Sequence, residues 1–198
     1  MTAVRGAPPS RRAFLRAVAG IAAAGVAERV ARAAGLVPPA IQAQLVAKIA
    51  AYDRNFGARA GGTARVLVAY KPSDVESTRF ATLVVNALND LGDIAGKPKQ
   101  VETFAFGGAA GLASRCGVGK ASLLYLSTGL EGDLAAIAKA LEGVDVLDYG
   151  ATREHAQKGA VVGFALEEGK PKLIVNLAQA KAQNVSFKAE FLKLAQVI

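Results

Sequence analysis

Between Arg65 and Leu147, compact apolar runs alternate with stretches whose apolar residues recur at helical spacing. That alternation restricts the chain to an α/β fold built on a largely parallel sheet. Arg65–Tyr70, Lys99–Phe106, Ala121–Leu126 and Val144–Leu147 read as four strands. The first is apolar almost throughout, as a strand covered on both faces must be. Ser73 and Glu76 predict a capping box for a helix whose stripe is Phe80, Leu83, Val84, Ala87, Leu88 and Leu91. Thr128 and Glu131 predict the same for a helix burying Leu130, Leu134, Ile137, Ala138 and Leu141. Upstream, Pro38 and Pro39 lead into Ile41, Leu45, Ile49, Tyr52 and Phe56, a helix expected to end near Gly57. Crossovers of this kind are right-handed, so the first four strands should be parallel.

The last forty residues add a different unit. Ala160–Leu166 and Lys172–Leu177 flank Glu167-Glu168-Gly169-Lys170-Pro171 and predict a β-hairpin. Asn176 stands three residues before Gln179, the spacing of a reciprocal helix cap. Phe187, Phe191, Leu194, Ala195 and Ile198 then predict a final amphipathic helix lying on the sheet. The expected architecture is α/β: one domain, a three-layer α/β/α sandwich with a mixed sheet of about six strands and a C-terminal antiparallel hairpin followed by helix.

The run from Gly159 to Ala195, G-A-V-V-G-F-A-L-E-E-G-K-P-K-L-I-V-N-L-A-Q-A-K-A-Q-N-V-S-F-K-A-E-F-L-K-L-A, resembles the C-terminal signature of the YfiR-like periplasmic proteins. The resemblance extends over Lys120–Tyr149 and more loosely over Ile41–Leu91. It implies a non-enzymatic regulatory protein that acts on the periplasmic domain of an inner-membrane signalling enzyme, a diguanylate cyclase or a sensor kinase. Cyclic di-GMP would then be the output. Two positions depart from the pattern: Ile174 replaces an acidic residue two places before the asparagine, and Ala121 stands where relatives carry a cysteine.

Ser10-Arg11-Arg12-Ala13-Phe14-Leu15, a mild apolar run and Ala31-Arg32-Ala33 resemble a twin-arginine export signal with cleavage near Ala33. Arg11, Arg12, Phe14 and Leu15 carry that reading. Residues 1–33 are therefore the expected signal peptide and 34–198 the YfiR-like domain, located in the periplasm. Six arginines and Glu28 give the signal segment +5 of the chain's +8, which leaves +3 for the mature protein. Scattered lysines and no tryptophan do not make a nucleic-acid surface. Cys116 is the only cysteine, so no intrachain disulfide can form; a crosslinked homodimer stays open.

The glycines at 107, 108, 111, 117 and 119 do not form a phosphate loop, because Ser114 and Ala121 occupy required positions and Gly119-Lys120 leads into a strand. His155, in a connection, and Asp145 and Asp148, flanking a short strand, are expected to be solvated. No catalytic constellation, metal site or cofactor is expected. The binding candidates are Tyr52, Asp53, Arg54 and Asn55, a sequence similar to a motif of one YfiR-like branch, together with Asn176. Arg54 can present a fork of donors, with Asp53 holding it, or can simply finish its helix; Asn176 is also explicable as a cap. The alternative function is capture of a small ligand at the carboxyl ends of the parallel strands.

Overall fold

The computed structural model describes residues 35–198; the predicted signal segment, with Arg11, Arg12, Phe14, Leu15 and Ala33, lies outside the described residues. Five strands are parallel: β1 (Ala64–Tyr70), β2 (Lys99–Ala105), β3 (Leu123–Leu126), β4 (Leu147–Gly150) and β5 (Val162–Glu167). β6 (Lys170–Val175) runs antiparallel to β5, and β7 (Gln196–Val197) parallel to β6. The spatial order is β2-β1-β3-β4-β5-β6-β7. The chain moves outward from β1 to β2 and then returns to place β3 on the other side of β1, which makes that point the topological switch.

Each face of the sheet carries its own core, because successive side chains point to opposite sides. Val66, Val68, Leu123, Tyr125, Leu147 and Tyr149 pack beneath α1 (Pro39–Ala50) and α3 (Val75–Asp90). Leu67, Ala69, Leu124 and Leu126 face Leu112 of α4 (Ala109–Val118) and Leu134 and Ile137 of α5 (Leu134–Ala140). The two buried tyrosines donate their hydroxyls to α1, Tyr125 to Gln42 Oε1 at 2.5 Å and Tyr149 to the Val46 carbonyl at 3.2 Å. Burying an aromatic with a polar tip requires such a partner.

Several expectations need correction. α1 ends at Ala50, so Tyr52 and Phe56 lie beyond it; Phe56 instead opens the short α2 (Phe56–Ala60). Asp74, not Ser73, caps α3 and accepts from the Ser77 amide at 3.0 Å, since the chain offers two adjacent capping residues and the carboxylate is the stronger acceptor. α5 starts after Asp133 without a side-chain cap, and Glu131 accepts instead from the Gly129 amide at 3.1 Å. β4 lies three residues later than expected because its register follows β3, Leu123 opposite Leu147, which carries Asp148 into the strand.

The C-terminus differs most. Only one turn of helix forms, α8 (Ala189–Leu192), and the last residues then pair along β6. The edge of β6 leaves backbone groups without partners, and the Ile198 amide satisfies one of them, the Val175 carbonyl, at 2.9 Å. The sheet thereby gains a seventh strand, and Leu194 and Ile198, expected to be core, are 70% and 45% exposed.

Candidate functional site

The turn after α1 is built around Asp53, which is 4% exposed. Its Oδ1 accepts from the amides of Asn55 at 3.1 Å and Ser186 at 3.0 Å, and its Oδ2 from Arg59 Nη1. Asp53 therefore holds Arg59, six residues on, and not the adjacent Arg54. Arg59 also donates from Nε to Asp145 Oδ1 at 2.8 Å and from Nη2 to the Asn184 carbonyl at 2.9 Å. Asn55 Nδ2 reaches the same carbonyl at 2.7 Å. These bonds fasten the 52–55 turn to the 184–186 turn, far away in sequence.

What remains outside that clasp is a surface. Arg54 is exposed, and among the described residues its guanidinium has no hydrogen-bond or ion-pair partner; only its amide is engaged, by the Ser186 carbonyl at 2.8 Å. Tyr52 is half-buried on Phe191, ring centroids 5.7 Å apart, with Lys188 Nζ 6.0 Å from its ring. Tyr52, Arg54 and Lys188 thus share one patch where α1 meets α8, beside Asn55, whose side chain belongs to the clasp. Asn176 belongs elsewhere: it caps α7 (Leu177–Ala182), accepting from the Gln179 amide at 3.0 Å and donating to the Ala156 carbonyl at 3.1 Å. Gln179 does not reciprocate, because the Asn176 amide already donates to the Val161 carbonyl at 2.9 Å, and Gln179 Nε2 donates instead to the Ala138 carbonyl and to Gln183 Oε1.

At the topological switch, the loops after β1 and β3 are tied together by the chain's own side chains. Lys71 Nζ pairs with Asp133 at 3.1 Å, and Ser127 Oγ donates to the Ser77 carbonyl at 2.9 Å. The place where open α/β sheets bind solutes is spanned by these contacts.

Two groups expected to be solvated are buried. Asp148 accepts through Oδ1 from the Val161 amide at 2.9 Å and from Gln183 Nε2 at 3.0 Å, while burial pushes its carboxyl up to about 7. His155, on α6 (Arg153–Gln157), lies 3.2 Å through Nε2 from Glu131 Oε1, a contact that holds the Glu131 carboxyl down at about 2. α6 can lie this close because Gly150 and Gly163 are register partners with no side chains. A Cβ on Gly150 would sit 2.0 Å from His155 Cβ, and one on Gly163 would sit 2.5 Å from the Thr152 carbonyl oxygen. Sequence reading missed Arg59, and it placed Asp148 and His155 in solvent where the structure buries both. The signal available for Asp148 was a single charge inside the run Val146-Leu147-Asp148-Tyr149-Gly150.

Comparison with known proteins agrees with this architecture. No curated protein matches the chain. Among solved structures, the ABC domain in complex with L-Trp from Streptococcus pneumonia is 15% identical with a TM-score of 0.56, covering 79% of this chain and 62% of that one. A conserved domain protein from Vibrio cholerae O1 biovar eltor is 14% identical with a TM-score of 0.57, covering 81% and 60%. CD0873, a substrate binding protein with adhesive properties from Clostridium difficile, is 16% identical with a TM-score of 0.52, covering 73% and 57%. The chain spans about three fifths of each, and the likeness is one of fold. The YfiR/HmsC-like family matches residues 39–196, nearly all of the described chain. The chain belongs to the YfiR/HmsC-like family, a family of periplasmic regulatory proteins.

Proposed function

We propose that this protein is a non-enzymatic regulator that binds the periplasmic sensor region of an inner-membrane signalling enzyme, a diguanylate cyclase or a sensor kinase, and holds it inactive. The family match over residues 39–196 carries this reading. Export through the twin-arginine signal, with cleavage near Ala33, delivers it to that compartment. The patch of Tyr52, Arg54 and Asn55 is its working surface. Aromatic and arginine side chains dominate protein interfaces, and here an arginine without a side-chain partner among the described residues stands beside a half-buried tyrosine. Regulation works by population shift: near-complete switching requires the complex to prefer the inactive sensor by about 5.5 kcal/mol.

The test is a deletion strain complemented with the wild type or with Arg54→Ala. Deletion should raise cyclic di-GMP or kinase output, wild type should restore it, and Arg54→Ala should fail to restore it while accumulating normally in the periplasm. Unchanged signalling in the deletion strain, together with lost uptake of a solute, would overturn this reading in favour of a solute-binding protein.

A further inference from the structure

A second concave site lies at the opposite end of the sheet from the topological switch. It is a cavity of about 380 Å³ between α2, the C-terminus of α4 and the turn before β4, at the lower end of the roughly 300–1,000 Å³ typical of small-molecule sites. Its apolar lining comes from Ala58, Cys116 and Val144, and its charged lining from Arg59, Lys120 and Asp145.

The charges are not equally free. Arg59 is held by Asp53 and Asp145, so it contributes shape more than charge. Asp145 is half-exposed, and only its Oδ1 is engaged, by Arg59 and by Asn184 Nδ2 at 3.2 Å; no donor in the described chain reaches Oδ2. Lys120 has no ion pair or side-chain hydrogen bond among the described residues. Its backbone is also unusual, with a φ of +48° just past the end of α4, where glycine normally stands, although Gly119 is the preceding residue. The cavity therefore offers one free cation and one free carboxylate oxygen over an apolar floor.

We infer that this cavity binds a small zwitterion, a free α-amino acid or a dipeptide, whose carboxylate meets Lys120, whose ammonium meets Asp145 Oδ2, and whose side chain packs on Ala58 and Val144. A ligand of one charge would leave one of these groups uncompensated once water is displaced. Binding also reaches the patch described above, because Arg59, which forms a wall of the cavity, is bonded to Asp53. The Asn55 and Ser186 amides that donate to Asp53 should report it. This inference does not depend on the identity of the signalling partner.

The experiment titrates purified protein with L-leucine, L-glutamine and glycyl-leucine, with 4-methylpentanoate and isoamylamine as single-charge analogues of leucine. Calorimetry and amide NMR provide the readouts. At least one zwitterion should bind with a Kd below about 1 mM, and the matching single-charge analogues should bind at least about tenfold more weakly. Lys120→Met and Asp145→Asn should each weaken binding by about tenfold or more, and the Asn55 and Ser186 amide signals should move in the wild type. Lack of binding by all three zwitterions at about 10 mM, or binding indifferent to both substitutions, overturns the inference. Lys120 is exposed, so its substitution tests the site even if Asp145→Asn disturbs Arg59.

Discussion

Arg59 grips Asp53 across the short turn that separates α1 from α2, and both side chains are shielded from solvent, with relative exposures of 2% and 0%. The pair is the knot that joins the 52–55 and 184–186 turns. Breaking a buried pair costs about 3–5 kcal/mol, and although Arg59 keeps Asp145, loss of Asp53 also leaves the Asn55 and Ser186 amides without their acceptor. Asp53→Ala should lose stability in that range by urea unfolding, and Asp53→Asn less, since Asn keeps an acceptor for the Asn55 and Ser186 amides. A loss of under about 1 kcal/mol for Asp53→Ala would show that the knot does not hold.

The neighbouring residue should behave oppositely. Arg54→Ala removes an exposed side chain without a partner among the described residues and should shift stability by no more than about 0.5 kcal/mol. Thermal melts of Asp53→Ala and Arg54→Ala, measured together, separate the structural residue from the interface residue within one tetrapeptide. If Arg54→Ala melts as early as Asp53→Ala, Arg54 is structural and the proposed surface is wrong.

Much of this was legible in the sequence, for identifiable reasons. Strand and helix alternation survived intact because the central strands, such as Leu123–Leu126, are buried on both faces and so carry an unbroken apolar signal. Element ends were less legible, because they depend on register. β4 starts where β3 lets it pair, and β7 exists because β6 leaves an open edge; neither condition is local to Val144 or Gln196. The Asp53–Arg59 link was hidden for a related reason. Its residues lie six apart across a turn, off the helical period and with no strand there to give the even spacing a meaning.

Cys116 is 2% exposed, and burial, with Asp148 near it, pushes its thiol up to about 12. Thiolate is the reactive form, so both access and protonation protect it. In native protein at pH 8, Cys116 should react with a chromogenic disulfide reagent far more slowly than in urea, where it becomes accessible. Non-reducing electrophoresis should then show no dimer that is lost in Cys116→Ala. Rapid native labelling, or such a dimer band, would return the cysteine to the intermolecular role left open by its lack of a partner in the chain.

Asp148 makes the fold pH-dependent in a direction opposite to that of most carboxylates. Its carboxyl titrates at about 7 when folded, against an ordinary 3.8, because burial disfavours the charge more than the Val161 and Gln183 bonds favour it. A raised pKa means that the folded state holds a proton the unfolded chain has released. The stabilisation is fully present below pH 3.8 and is lost as pH rises through 7. The span corresponds to a change on the order of 4 kcal/mol. Glu131 runs the other way, being depressed to about 2 by His155, so its contribution is present above pH 4.5 and fades as pH falls toward 2. Glu131 is partly solvent-exposed, and screening reduces its weight relative to Asp148. Stability should therefore be higher at pH 5 than at pH 8. Asp148→Asn supplies the decisive comparison, since an amide oxygen can still accept from Val161 and Gln183 but carries no charge to desolvate. The variant's advantage over the wild type should therefore be small at pH 5 and grow by pH 8, read by urea unfolding. If wild type and variant lose stability in parallel between those pH values, the titration belongs to another group and Asp148 is not its source.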